Sequence, residues 1–231
     1  NDLASYRPII REPVRGIYRG YEIYSMPPPS SGGVHLIQML NVMENFDIAG
    51  MGHNSAASIH VMTEAMKFAY ADRSWHMGDP GFWKVPVTKL TSKSYAMTIG
   101  QLIDVNKART ASQIGPGDLK RHEGRNTTHF SVMDRKGNVV SNTYTINLAY
   151  GSGIVAKGTG ILWNNEMDDF SAKPGVANSF GLIGGAANAI EPGKRPLSSM
   201  TPTIVFKNGQ PLLATGSPGG SRIITTVLQV V

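Results

Sequence analysis

Apolar and polar positions follow two rhythms along the chain, and the change of rhythm falls across residues 106–126. Before it, most segments repeat every three to four residues; after it, they alternate every second residue. Residues 19–26 are an early exception. Tyr21, Ile23 and Ser25 alternate with Glu22, Tyr24 and Met26, which predicts a short strand ending at Pro27-Pro28-Pro29. Ser30 or Ser31 can then cap a helix whose stripe is Val34, Ile37, Leu40 and Met43, with Leu36, Met39 and Phe46 alongside. Asn54 or Ser55 opens a second helix, with Ile59, Met62, Met66 and Ala69 on one face. Thr91-Ser92 opens a shorter third helix through Tyr95, Ile99 and Leu102. Residues 106–125 are polar, contain Gly115-Pro116-Gly117, and read as a surface loop or linker.

In the second part, Phe130 and Val132 alternate with His129, Ser131 and Met133. A turn at 134–138 leads into a return strand within 139–148. Further strands are expected at 160–164 and 203–206. Asn208-Gly209 is a hairpin signal, with 212–215 returning and a helix starting near Ser221. A chain that opens without a start signal and stops inside a helix is expected to be a segment of a longer one.

Composition narrows the classes. Apolar residues make up 41% and charged residues 16%, so this is not a disordered chain of like charges. The net charge of +6 is spread evenly, +3 before residue 127 and +3 from there on. Without a basic stripe interleaved with aromatics, no nucleic-acid partner is expected. No run approaches about 20 apolar residues, so no membrane span is expected, and the opening Asn1-Asp2-Leu3 does not read as a signal peptide. Cysteine is absent, which removes disulfides, thiolate metal sites and thiol nucleophiles. The six histidines form no metal-binding frame, and no metal or cofactor is expected. His129 reads as a packed or hydrogen-bonded sheet residue.

Four stretches could carry chemistry. In Asn126-Thr127-Thr128-His129, cutting the bond before Thr127 would place a free α-amino group on the residue that bears the hydroxyl. With a pKa of about 8, that amine can accept the hydroxyl proton near neutrality. The same residues fit a glycosylation pattern or an ordinary Thr-rich strand start. Gly216-Ser217-Pro218-Gly219-Gly220-Ser221-Arg222, between a strand and a helix, can aim backbone N–H groups at an oxyanion, or be a tight turn. The acidic run Glu166-Met167-Asp168-Asp169 could hold a cation or an ammonium, or be a solvated turn. The hydroxyls of Pro196-Leu197-Ser198-Ser199-Met200 could bind a carboxylate, or shape a rigid turn.

Together with Met26-Pro27-Pro28-Pro29-Ser30-Ser31-Gly32-Gly33 and Tyr70-Ala71-Asp72-Arg73, these stretches resemble the bacterial γ-glutamyltranspeptidases (glutathione hydrolases), over the whole chain. The resemblance implies an α+β fold, the four-layer αββα sandwich of the N-terminal nucleophile hydrolases, of which this chain would be a segment. Residues 1–126 would be the C-terminal part of the large subunit and 127–231 the N-terminal part of the small, catalytic one. It implies self-cleavage between Asn126 and Thr127, giving a large/small heterodimer. Thr127 would be the nucleophile, assisted by Thr145, with Gly219 and Gly220 as oxyanion donors. Asn147, Glu166 and Asp169 would hold the substrate α-amino group, and Ser198 and Ser199 its α-carboxylate. The substrates would be glutathione and other γ-glutamyl compounds, with water, amino acids or dipeptides as acceptors, in the periplasm or outside the cell. Rival expectations are a cephalosporin acylase or capsule transpeptidase on the same scaffold, or an uncleaved, inactive fragment. Two departures from the family pattern stand out. The segment matching the lid, 174–185, carries Phe180 where the family has a tyrosine, implying a looser gate. The family's substrate-gripping arginine lies upstream of anything in this chain.

Overall fold

The computed structural model describes residues 2–110, 113–114, 127–173 and 175–231. The first part runs α1 (Asp2–Ser5), β1 (Val14–Tyr18), β2 (Tyr21–Ser25), α2 (Gly32–Met43), α3 (Ile48–Met51), α4 (Ala56–His76), α5 (Val87–Leu90) and α6 (Lys93–Leu102). The second runs β3 (Thr128–Met133), β4 (Val139–Tyr144), β5 (Thr203–Lys207), β6 (Gln210–Thr215) and α7 (Ile223–Val230).

The two parts share one antiparallel sheet, in the order β1-β2-β5-β6. Register pairs Ile23 with Val205 and Ser25 with Thr203, so alternate residues of both parts face one core. That face meets α2, all twelve residues of which are buried. A helix enclosed on every side must be apolar nearly all round, and Val34, Leu36, Ile37, Met39, Leu40 and Val42 supply this. Of its polar residues, His35 Nδ1 hydrogen-bonds Gln38 (2.7 Å), Gln38 donates to Asp72 (2.5 Å) and Asn41 donates to the Thr91 carbonyl (2.8 Å). Helices α4, α6 and α7 pack around α2. The β3–β4 hairpin lies against β5 and β6, tied by the Ser141 hydroxyl, which donates to the Thr215 carbonyl and accepts from the Thr203 N–H.

Most predicted elements are present, with instructive differences. Ser55 and Ser92 cap α4 and α6, accepting from the Ser58 and Tyr95 N–H groups. Ser31 occupies the cap position of α2 without capping it, because its hydroxyl donates to the Ser198 carbonyl instead. The inward face of α4 is Val61, Ala65, Ala69 and Arg73, while Ile59 is half exposed. Of the predicted face, Ala69 is buried in the core and Met62 and Met66 pack against it partly buried. The expected strand at 160–164 is a single bridge, Val155 to Leu162, and β1 forms where the pattern predicts no strand. His129 is hydrogen-bonded in the sheet, to Thr143 (2.8 Å) and Ser131 (2.9 Å). Of the expected linker, 111–112 and 115–125 lie outside the described residues, as does Asn126.

Candidate active site

A small cavity of about 20 Å³ is lined by Thr127, Thr145, Asn147, Asp169, Phe180, Leu182, Ser198, Ser199, Met200, Gly220 and Ile223. Residues spread from 127 to 223 thus meet at one point, and local rules explain each arrival. Thr127 immediately precedes β3 and Thr145 immediately follows β4. The ladder ends on the Thr128–Tyr144 pair, so one further step of register sets Thr127 opposite Thr145.

Asn147 is buried at a positive φ of 74°, a conformation asparagine tolerates. Its N–H donates to the Thr145 hydroxyl oxygen (2.9 Å), leaving that hydroxyl's proton to point elsewhere. Its side-chain amide donates to the Asn165 carbonyl (3.1 Å), and Asn165 accepts in turn from the Leu148 N–H. The loop after β4 is thereby laced to the acidic run.

That run is a 3-10 turn, Glu166–Asp169. Burial, with the Asp169 charge beside it, pushes the Glu166 carboxyl up to about 7. Burial likewise pushes Asp169 up to about 6, against the pull of the Arg73 guanidinium. One Glu166 carboxylate oxygen, Oε1, is buried with no hydrogen-bond partner. Two desolvated carboxyls in this state bind a proton or a cation readily. Glu166 itself is not among the cavity-lining residues; it stands behind Asp169 in the same turn.

The opposite wall differs in charge. Ser198 and Ser199 sit where the 196–202 segment crosses the start of α2. The Ser31 N–H and hydroxyl both donate to the Ser198 carbonyl, the Ser198 N–H donates to the Pro29 carbonyl, and the Ser30 hydroxyl donates to the Met200 carbonyl (2.7 Å). So close a crossing demands glycine at position 32, where a Cβ would lie 2.3 Å from the Met200 carbonyl oxygen. Arg73 is buried and donates from Nη2 to the Ser199 hydroxyl (3.1 Å) and from Nε to the Ser31 hydroxyl (2.9 Å).

Between β6 and α7, Gly219 and Gly220 hold φ values of +122° and +55°, and Gly220 opens a 3-10 turn into α7. Only glycine adopts this pair without strain. The Tyr70 hydroxyl donates to the Ser221 carbonyl (2.5 Å), so α4 braces this turn as well as Ser199. Gly220 lines the cavity, whereas Gly219 is not among its lining residues.

The Phe180 ring covers Gly220 and is buried at 6% exposure. The segment around it is tied to the acidic turn, Asn178 donating to Asp169 (3.3 Å) and the Ser179 N–H to Asp168 (3.1 Å). Phe180 packs by apolar burial against the glycine turn, and Asn147 has the Asn165 carbonyl for a partner. Position 174 of this segment lies outside the described residues.

Comparison with known proteins adds to this geometry. The family model for γ-glutamyltranspeptidase matches residues 1–231. The chain is 60% identical over 230 residues to the glutathione hydrolase proenzyme of Escherichia coli (strain K12), covering 100% of this chain and 40% of that protein. The chain belongs to the γ-glutamyltranspeptidase family. Another member, the glutathione hydrolase proenzyme of Pseudomonas aeruginosa, is 50% identical over 231 residues, covering 99% of this chain and 41% of its own length. The acylase ACY 1 proenzyme of Pseudomonas sp. (strain SE83) is 44% identical over 230 residues, covering 100% of this chain and 39% of that proenzyme. Among solved structures, the cephalosporin acylase of Bacillus halodurans aligns with a TM-score of 0.77 and 29% identity, over 99% of this chain and 38% of that one. The fold is accordingly that of the N-terminal nucleophile hydrolases, present as a segment: a helical layer, a sheet, and one hairpin of the second sheet. The chain spans about 40% of the length of the curated relatives it matches.

Sequence reasoning placed Ser30, Ser31, Tyr70 and Arg73 in family-like motifs but gave them no role at the site, and it missed Asn188 altogether. Asn188 is buried, donates to the Asp169 carbonyl (2.7 Å) and accepts from the Leu197 N–H (3.0 Å), joining the two walls. A polar residue inside an apolar helical face was the available signal for Arg73; Asn188 gave none. Among the described residues, no cluster of His, Asp and Glu could hold a metal ion, and no helix is long and apolar enough to cross a membrane.

Proposed function

We propose that the whole protein is a self-processing γ-glutamyltransferase and glutathione hydrolase. The observation that carries this reading is the convergence of Thr127, Thr145, Asn147, Asp169, Ser198, Ser199 and Gly220 on one cavity. In this reading residues 1–126 close the large subunit and Thr127 begins the small one. The Thr127 Oγ takes the Asn126 acyl group in an N-to-O shift that frees the Thr127 amine, water hydrolyses the resulting ester to leave the Asn126 carboxylate, and the two products remain together as a heterodimer. The amine takes the Thr127 hydroxyl proton as Oγ attacks the γ-carbonyl of glutathione or a related γ-glutamyl compound. The Gly219 and Gly220 N–H groups receive the oxyanion, where one such donor is worth roughly 10²–10³ in rate. The protonated amine then passes its proton to the departing amine. Water or the amine of an amino acid or dipeptide takes the γ-glutamyl group from the ester and restores Thr127.

Substrate orientation follows from the unlike walls. Asn147, Glu166 and Asp169 take the α-ammonium, and Ser198 and Ser199 the α-carboxylate. The bacterial relatives are proenzymes, and an exported location, periplasmic or secreted, fits this reading.

The test is an intact-mass measurement on the complete protein, alongside turnover of a γ-glutamyl anilide. Two fragments meeting at 126/127, with turnover, are expected. A chain still whole after long incubation would remove the nucleophile reading.

A further inference from the structure

Arg73 has no role in the proposed reaction, yet it is a buried cation at the edge of the site. Its neighbour Asp72 is held by Gln38 and by the Tyr95 hydroxyl (2.9 Å), which fixes the rotation of α4 and aims Arg73 at the 198–199 turn. Among the described residues the guanidinium forms no ion pair. The Asp169 carboxyl acts on it electrostatically without a direct ion-pair contact, and a buried charge needs hydrogen-bond partners as well. The guanidinium donates to two hydroxyl oxygens, those of Ser31 and Ser199.

A guanidinium can only donate. By occupying a lone pair of the Ser199 oxygen, Arg73 obliges the Ser199 O–H to point away from it, and it polarises that bond. Through Ser31, which accepts from Arg73 and donates to the Ser198 carbonyl, it also fixes the preceding residue. We infer that Arg73 is a positioning residue for the proposed reaction: it turns the Ser199 hydroxyl into a charge-assisted donor for the substrate α-carboxylate and supplies a buried positive charge behind it. The substrate feature it selects is the carboxylate itself. This inference rests on the γ-glutamyl reading of the site.

The experiment compares the complete processed enzyme, Arg73→Lys, Ser31→Ala, Ser199→Ala and the Arg73→Lys/Ser199→Ala double variant. Two substrates are used: a γ-glutamyl anilide and the 4-aminobutanoyl anilide, which differs only in lacking the α-carboxylate. Arg73→Lys is expected to raise KM for the γ-glutamyl compound by about 10- to 100-fold, the scale of one charge-assisted hydrogen bond. Turnover of the 4-aminobutanoyl compound should change by less than about threefold, well below the scale of one hydrogen bond to a charged group. The double variant should be little worse than Ser199→Ala alone, because the two residues act as a unit. Ser31→Ala should show the same substrate selectivity at smaller size, and it decides the matter should the Arg73 variant fail to fold. Equal losses on both substrates, or additive losses in the double variant, would overturn the inference while leaving the γ-glutamyl reading intact. Absence of γ-glutamyl turnover in the unmodified enzyme would instead overturn that reading.

Discussion

The two walls of the cavity are opposites. On one side, Glu166 and Asp169 are desolvated carboxyls whose affinity for protons is raised, with a carboxylate oxygen facing no donor. On the other, Ser198 and Ser199 are backed by a buried arginine that donates to the Ser199 hydroxyl. One wall is thus acidic and the other is backed by a cation, and the two are electrostatically coupled. The same Arg73 that stands behind the serines draws the Asp169 pKa down, so the walls sense one another across the cavity. Walls of opposite sign suit a zwitterion, which can meet each with its complementary end. An amino-acid head group is such a ligand; an uncharged acyl group is not. Under the proposed reading, the difference between the walls is what would separate a γ-glutamyl site from a general acylase pocket on one scaffold.

The contrast between the walls can be put to measurement. The largest effect belongs to the point between them: Thr127→Ala should leave the 126/127 bond intact by mass and lower turnover by roughly 10⁴-fold or more. Next is the acidic wall. Asp169→Ala should raise KM for a γ-glutamyl anilide by about 10²-fold, from the loss of a charge-assisted bond. A glutaryl anilide, which keeps the carboxylate but lacks the amine, should be unaffected; an unchanged KM for the γ-glutamyl compound would count against the assigned role. On the opposite wall, Gly32→Ala puts a methyl 2.3 Å from the Met200 carbonyl oxygen. It should cost about 1–3 kcal/mol of stability in denaturant titration and raise KM without moving the pH midpoint of binding.

The smallest effect is the pH dependence. Glu166 has its pKa raised from 4.5 to about 7, so its contribution to stability is fully present below pH 4.5 and is lost as pH rises through about 7. The melting temperature of the ligand-free enzyme should therefore decline over that interval, and less steeply in Glu166→Gln. In the same interval KM for γ-glutamyl substrates should fall as the pair ionises and can accept the ammonium. A KM indifferent to pH from 5 to 8 would argue that the pair does not face the amine.

Features that depend on near neighbours and on side-chain chemistry were legible in the sequence. Alternation marked β2 and β3, a strand was expected at β5, Asn208-Gly209 marked the β5–β6 turn with both residues at positive φ, and Ser55 and Ser92 marked the starts of α4 and α6. Motif composition was enough to single out Thr127, the glycine pair, the acidic run and the serine pair. Features that depend on approach between distant segments were settled by the folded chain. The 160–164 run had strand-like residues and became a bridge. Ser31 had a capping residue's chemistry and gave its hydroxyl to Ser198 across 167 positions. Arg73 and Asn188 acquired meaning only when α4 and the 186–188 turn came to rest against the two walls. The physical reason is one of range: hydrophobic period and turn geometry act over a few residues. The desolvation that raises a carboxyl's pKa, and the crossing that aims a guanidinium at a hydroxyl, exist only once the core has closed.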